Sequence, residues 1–359
     1  MAQVRVAIIG CGQIALQNHF PGIRLHPEGE VVALCDTDAS AVDRAARDWD
    51  VAITAIDPQE LFVRDDIDAV VIATPNVTHV PLARAALEAG KHVLCEKPIA
   101  MTAPEARDLA EAADAAGRRH MTAFTYRFVP AYRYVAHRVK QGDLGALVHF
   151  RAQRFQDWGD RFLGWRQQKA LCATGELGDM LSHRLDFALH LMGPVNRLAA
   201  SMKNFLPERG GRPSDVDDWV AVLCEFASGA TGVLESTKLA SGVGEGARSH
   251  DRCEVNGTQA TATYTLARPF EIEWGMRGGA ALGTEAVPPV FRVWPGSPRD
   301  PQDGDPLIAF RYDQGFEFID AIVNQRPCEP SFREGFEAQL FIDRTVAAAE
   351  AGGWVSFQE

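Results

Sequence analysis

Residues 4–36 read VRVAIIGCGQIALQNHFPGIRLHPEGEVVALCD, and this stretch decides the fold. Arg5–Ile9 is an apolar strand, and Gly10-Cys11-Gly12-Gln13-Ile14-Ala15 follows it directly. A helical pattern from about Ile14 to Leu25 then leads to a second strand, Val31–Cys35, closed by Asp36. Strand, G-x-G-x-x-A turn, helix, strand and terminal acid together form a dinucleotide fingerprint. Gly10 permits the tight turn, Gly12 lets the backbone approach a pyrophosphate, and Ala15 lets the helix lie close against the sheet. The helix start at Gln13 and Ile14 offers backbone N–H groups and a positive dipole end to the phosphates. The Asp36 carboxylate suits both ribose hydroxyls and repels a 2′-phosphate. Thr37 and Asp38 follow with no Arg or Lys to neutralise one, so NAD is the expected cofactor and NADP is disfavoured.

Outward from this stretch the alternation continues. Helical Ala39–Trp49, strand Ala69–Ala73, helix His79–Ala89, strand His92–Cys95, helix Pro104–Ala116 and strand Met121–Phe124 read as successive βαβ units. Strands this apolar on both faces belong to a parallel sheet covered by helices. A Rossmann-type doubly wound α/β domain is expected over residues 1–123. From 124 to 359 the texture is α+β. A helix at Pro130–Gln141 precedes strands at Leu147–Phe155, Ala199–Asn204, Trp219–Phe226, Ala230–Ser236, Arg252–Asn256 and Ala260–Thr265. A large, mostly antiparallel open sheet is expected there. Pro288–Pro306 reads as an exposed loop, and Gly335–Ala351 as a helix that leans back on the first domain.

The 359 residues suffice for two cores, with 46% hydrophobic and 23% charged residues. Acidic side chains outnumber basic ones 48 to 36, a net charge of −12 that disfavours nucleic acid or an anionic membrane as partner. No apolar run approaches the ~20 residues of a membrane span. The seven cysteines stand singly, without a CxxC pair, as reduced core thiols do. The chain enters its first strand by Val4 without a secretory leader pattern, and a cytoplasmic protein is expected.

Two further elements carry chemistry. Glu96-Lys97-Pro98 follows a buried strand, so Lys97 emerges at the carboxyl edge of the sheet, where open α/β sheets bind ligands. A helix from about Asp179 places Asp179, His183, Asp186 and His190 on one face, with Leu181, Leu185, Ala188 and Met192 opposite. One greasy side and one titratable side suit the wall of a site. Asp179 and His183, one turn apart, also have metal-ligand spacing, but no third ligand is evident outside the helix, so no metal is expected. Arg127, Arg154, Gln156, Asp157, Trp158, Trp165, Arg166 and His250 pair aromatic faces with planar hydrogen-bonding groups, a combination that suits a polyol.

Gly10-x-Gly12-x-x-Ala15, Ala73-Thr74-Pro75-Asn76-x-x-His79, Glu96-Lys97-Pro98, Tyr126-Arg127-Phe128-x-Pro130, Trp165-Arg166 and Asp179-x-x-x-His183-x-x-Asp186 occur in this order. The set resembles the glucose-fructose oxidoreductase / inositol dehydrogenase / rhizopine-catabolism (Gfo/Idh/MocA) family over nearly the whole chain. The resemblance implies reversible hydride transfer between NAD and a secondary alcohol of a sugar, inositol or related polyol, in a homodimer or homotetramer. It implies a catalytic trio of Lys97, Asp179 and His183. Thr74, Pro75, Asn76 and His79 fall on the nicotinamide side, Glu96, Lys97 and Arg127 near the cofactor, and Arg127 and Trp165 near the substrate. One departure stands out. Leu181 occupies a position usually held by Gly, which implies a more regular backbone there and a bulkier substrate wall.

His183, as an imidazole titrating near neutrality, is the expected proton acceptor, with Asp179 favouring its charged form and Lys97 donating to the developing alkoxide; the resemblance leaves Lys97 open as the alternative base. Three other readings compete: a redox-neutral enzyme that oxidises a glycoside so that elimination follows, a ketosugar reductase, and a non-enzymatic sensor. A sensor has no need of Lys97, Asp179 and His183 together.

Overall fold

Thr102 is followed three residues later by Glu105, and the pair closes a capping box at the start of the helix Ala103–Ala116, which ends on left-handed Gly117. Such local signals set the boundaries of the first unit. The computed structural model describes residues 3–245, 249–279 and 281–357. It divides into two compact units, Met1–Thr125 with Val293–Phe336, and Tyr126–Arg292 with Glu337–Glu359.

The first unit holds six parallel strands: β1 (Val4–Ile9), β2 (Gly29–Cys35), β3 (Ile53–Ala55), β4 (Ala69–Ile72), β5 (His92–Cys95) and β6 (His120–Thr122). Their order is β3-β2-β1-β4-β5-β6, so the chain reverses its winding beside β1, whose carboxyl end runs into the glycine loop. Every residue of β4 is buried, as a sheet covered on both faces requires. One face packs Phe62, Val70, Leu109 and Phe332. The other packs Phe20, Leu34, Phe318 and Ile319.

Those last residues correct the domain boundary expected from the sequence. Residues 293–336 complete the first unit, because the helix Tyr312–Val323 supplies Phe318, Ile319 and Ala321 to its core. The helix crosses the segment Phe20–Leu25 where two glycines meet. A Cβ on Gly315 would lie 2.5 Å from Gly22 C, and one on Gly22 would lie 2.9 Å from Tyr312 O. The stretch 288–306 is also less free than its Pro/Gly content suggests. Pro289–Arg292 forms a helical turn, and the buried Arg299 guanidinium pairs with Asp313 at 2.7 Å. The last long helix is Phe332–Ala351, three residues longer at its start than expected, and its first residue sits in the first unit's core.

The second unit is built on a nine-stranded sheet. Its strands, with a small β9–β10 pair alongside, are β7 (Leu147–Phe155), β8 (Val195–Lys203), β9 (Glu208–Arg209), β10 (Arg212–Pro213), β11 (Trp219–Phe226), β12 (Thr231–Thr237), β13 (His250–Gly257), β14 (Ala260–Thr265), β15 (Glu271–Met276), β16 (Gly283–Ala286) and β17 (Val355–Ser356). The order is β16-β15-β14-β13-β7-β12-β11-β8-β17, with β7 and β12 parallel and the other described pairings antiparallel. Alternation sorts the side chains. Phe150, Ala152, Arg154, Leu234, Ser236, Asp251 and Cys253 are buried on the face that the helix Ser182–Met192 covers. Arg151, Gln153, Arg252 and Glu254 line the opposite face.

The glycine crossing gives a direct test. Gly315→Ala gains up to about 1 kcal/mol of helix propensity, yet the methyl lands on backbone that cannot yield. Its net effect is expected to be a loss of about 1–3 kcal/mol in denaturant unfolding. A variant as stable as the parent removes the crossing from the account.

Candidate active site

At the carboxyl end of β1, Gly10 adopts φ +96°, and a Cβ there would lie 2.5 Å from Ala73 O. Only glycine fits. A Cβ on Gly12 would meet nothing within 4 Å, so the loop's backbone is open on that side. The Asp36 carboxylate accepts the Cys11 N–H at 2.8 Å and the Asp38 N–H at 2.9 Å, which fixes it at the loop. Ala15 is fully buried against the sheet. A tight turn, an open backbone and a held carboxylate fit a dinucleotide.

The residues beside this loop support it more than they face a ligand. His19, in the π-helical turn Ala15–His19, meets the Glu96 carboxylate at 2.8 Å. Burial works against the charged form of Glu96, but the His19 bond and the neighbouring Lys97 outweigh it and lower its pKa. Glu96 Oε2 also accepts the Lys97 N–H at 3.3 Å, so the strand end carrying Lys97 is anchored. His79 is wholly buried between two carbonyls, Pro98 O at 2.7 Å and Thr74 O at 2.9 Å, and burial lowers its pKa. It ties the Thr74-Pro75-Asn76 loop to the Lys97-Pro98 turn. Glu96 and His79, expected at the cofactor, therefore act from behind those loops. Asn76 is buried, while Thr74 and Pro75 are partly exposed.

In the second unit the helix carrying Asp179 and His183 is less regular than expected. Leu177–Leu181 forms a π-helical turn, and Ser182–Met192 continues as α-helix. The cause lies upstream. Asp217 accepts the Gly175 and Leu177 N–H groups at 2.6 and 2.8 Å, and its carbonyl accepts the Glu176 N–H at 2.9 Å. A Cβ on Gly175 would sit 2.0 Å from Asp217 O, so this bracket demands glycine. Leu181 is fully buried with Leu185 and Ala188, and so belongs to the core rather than to a substrate wall.

The titratable stripe divides. Asp186, 1% exposed, is held by a two-pronged pair with Arg127 at 2.6 and 2.8 Å. Both side chains, expected to face ligands, are engaged with each other. His190 is exposed and meets the Tyr132 hydroxyl at 2.6 Å. His183, 4% exposed, stands edge-on to the Tyr126 ring at 4.6 Å. Asp179 keeps partial exposure and gathers other candidates around it. Arg166 Nε lies 3.8 Å from Asp179 Oδ1, and its guanidinium stacks on Trp165 at 4.2 Å.

Lys238 and Glu176, both at this centre, carry no signal that the sequence alone singles out, whereas Gln156 was among the expected candidates. Lys238, 1% exposed, lies 3.0 Å from Asp179 Oδ2 and 3.5 Å from Glu176 Oε2, with its ammonium 5.1 Å from the Trp158 ring. Burial lowers its pKa, but Asp179 and Glu176 outweigh that and raise it, so it stays charged. Parity places it once the inward face is known: 232, 234, 236 and 238 share one parity, so Lys238 extends the inward row of β12. Gln156 continues the inward row of β7 and is buried, with Oε1 lacking a hydrogen-bond partner. Asp157 instead shapes a turn, accepting the Gly159 and Gly242 N–H groups at 3.2 and 2.8 Å. Arg154 is buried beside Arg184, and both guanidiniums bond Asp251. His250 does not join the site. It is exposed, and strand alternation turns it to the face opposite Asp251 and the helix.

Residues 4–124 match the family described as "Oxidoreductase family, NAD-binding Rossmann fold", and residues 132–263 match the GFO/IDH/MocA C-terminal domain. Levoglucosan dehydrogenase of Pseudarthrobacter phenanthrenivorans is 31% identical over 92% of this chain and 89% of its own length. Inositol 2-dehydrogenase of Acidothermus cellulolyticus is 29% identical over 97% and 92%. The fold superposes on a levoglucosan dehydrogenase solved with NADH and levoglucosan at a TM-score of 0.91. That pair is 28% identical, with 99% of this chain and 100% of the other covered.

The Arg127–Asp186 pair yields a stability prediction. Arg127→Ala strands a buried carboxylate and is expected to cost about 3–5 kcal/mol in denaturant unfolding. Arg127→Met combined with Asp186→Leu should recover most of it. Equal losses in the single and double variants contradict a charge-pairing role.

Proposed function

This chain belongs to the Gfo/Idh/MocA oxidoreductase family, and from that premise we propose which residues carry its chemistry and which substrate it takes. The enzyme is an NAD-dependent dehydrogenase of sugars or polyols, oxidising a secondary hydroxyl to a ketone. One observation carries the residue assignment: Asp179, held by Lys238, stands one helical turn before the buried imidazole of His183. The Gly10–Ala15 loop and Asp36 would hold NAD, which would supply the hydride acceptor for the carbinol carbon. His183 takes the hydroxyl proton, and the Asp179 carboxylate favours the imidazolium that results. Lys97 donates a hydrogen bond to the oxygen as it gains negative charge. Trp165, Arg166, Trp158 and Gln156 read the substrate's faces and hydroxyls. Gly10 to Ala15, Asp36 and the Thr74–Asn76 loop hold the cofactor, and Asp36 selects NAD over NADP.

Compact sugars head the substrate proposal, anhydrosugars first, because the likeness to levoglucosan dehydrogenase runs through both matched regions. The enzyme is further proposed to be a cytoplasmic homo-oligomer, a homodimer or homotetramer. Seven free, buried thiols support a reducing compartment. An NAD⁺-reduction screen over anhydrosugars, aldoses, inositols and glycosides, read as NADH absorbance, tests the reading. Turnover with none of them overturns it, and release of reducing sugar without net NADH favours glycoside elimination.

Lys97→Ala and His183→Ala are each expected to lower kcat by roughly 10²–10⁴-fold while NADH titrations remain near parental. Near-parental turnover in both variants removes the assignment. Asp36→Ala is expected to weaken NADH binding roughly 10–100-fold, as loss of a charged hydrogen-bond acceptor implies, and to narrow the preference over NADPH. An unchanged ratio of the two affinities sinks that role.

A further inference from the structure

Glu176 is fully buried, yet the reaction described above does not use it. Its backbone is bracketed by Asp217 on both sides, which directs the side chain toward β12. There Glu176 Oε1 meets the Ser236 hydroxyl, and Glu176 Oε2 lies 3.5 Å from Lys238 Nζ. Ser236 Oγ also stands 2.8 Å from the Arg154 carbonyl oxygen. A hydroxyl has one hydrogen, and a carbonyl can only accept. With the Ser236 hydrogen on Arg154 O, the contact to Glu176 closes when the carboxyl brings a proton of its own.

Charge count points the same way. Lys238 is one buried cation facing two carboxyl groups, Glu176 and Asp179, with Asp217 close behind. The groups acting on Glu176 come from every neighbouring segment: Lys238 and Ser236 at the end of β12, Asp179 on its own turn, Asp217 before β11, and Arg209 on β9. Burial dominates, with Asp179 and Asp217 adding to it against Lys238 and Ser236, and the Glu176 pKa is pushed up to about 7.

We propose that Lys238 and Glu176 are positioning residues of the hydride-transfer site: Lys238 clamps the Asp179 carboxylate, and Glu176, kept as a neutral carboxylic acid, leaves the ammonium to Asp179 alone. The proposal rests on the dehydrogenase reading. When Glu176 loses its proton, Lys238 is shared between two carboxylates, and Asp179 loses part of its hold one turn before His183. Turnover then falls as pH rises, independently of the proton acceptor's own titration. Glu176 touches neither reacting atoms nor cofactor in this scheme. It acts through Lys238.

Glu176→Gln keeps the shape and removes the titration, and it permits a measurement that needs no substrate. A carboxyl binding its proton more tightly when folded than when unfolded makes stability fall as pH rises between the two pKa values, here from roughly 4.3 to about 7. The wild-type unfolding constant should therefore climb by up to about tenfold per pH unit across that window, and the variant should lack this component. An identical slope in both proteins shows that Glu176 holds no such proton and overturns the proposal. With substrate, the ratio of kcat at about pH 8 to that at about pH 6 should be several-fold higher in Glu176→Gln than in wild type. An unchanged ratio also overturns it. Lys238→Met should lower kcat by roughly tenfold or more, as a displaced catalytic group does, with NADH affinity unaltered. Parental kcat there excludes the clamp. Should that variant fail to fold, the two Glu176→Gln measurements decide. Absence of any NAD-linked turnover overturns the dehydrogenase reading instead, and the unfolding slope still reports on the Glu176 proton.

Discussion

An ammonium group removed from water loses several kilocalories per mole of hydration unless opposite charge meets it. Lys238, whose side chain is 2% exposed, is in that position, and the charge that meets it is Asp179 in the π-helical turn, with the Glu176 carboxyl group immediately before the turn at 3.5 Å. The requirement runs both ways. The backbone entering the turn is bracketed by Asp217, the Glu176 and Asp179 carboxyl groups converge on one cation, and the apolar side buries Leu181, Leu185 and Ala188. The extra residue in the turn thus allows one segment to serve a charged cluster and an apolar core in quick succession. A regular helix would keep a single phase throughout.

The first unit follows the same rule with different chemistry. His19 meets Glu96, and His79 bridges Pro98 and Thr74, so two loops at the strand ends are held by imidazoles in the interior. The Asp36 carboxylate and the open side of Gly12 stand at the same strand ends.

Much of this was legible in the sequence where one local cause dominates. The strand–glycine–helix–strand–acid run reported β1, β2 and their loop, because each residue type there answers to a short-range constraint. The strand 147–155 and the helix after Thr102 were readable for the same reason. Legibility failed where the partner lies far along the chain. Nothing near Arg127 announces Asp186, and nothing near Gly22 announces Gly315. Lys238 lies two residues past the strand expected at Ala230–Ser236, and its parity is informative only once the strand's inward face is known. His250 failed for the converse reason: its residue type suited the chemistry, but alternation put it on the other face. The strand β15 and the edge strand β16 beside it, short and glycine-containing, carry too little pattern to be read alone.

The meeting of Gly22 with Gly315 bears on how the chain comes off the ribosome. The helix that fills one side of the six-stranded sheet is synthesised after the whole of the nine-stranded sheet except β17. At ~5–20 residues per second, the nascent amino-terminal strands wait on the order of ten seconds or more for Phe318 and Ile319 to arrive. Until then an apolar flank stands open to solvent. Vectorial order and structural order diverge in this protein, and the interval between them is when a chaperone has something to hold.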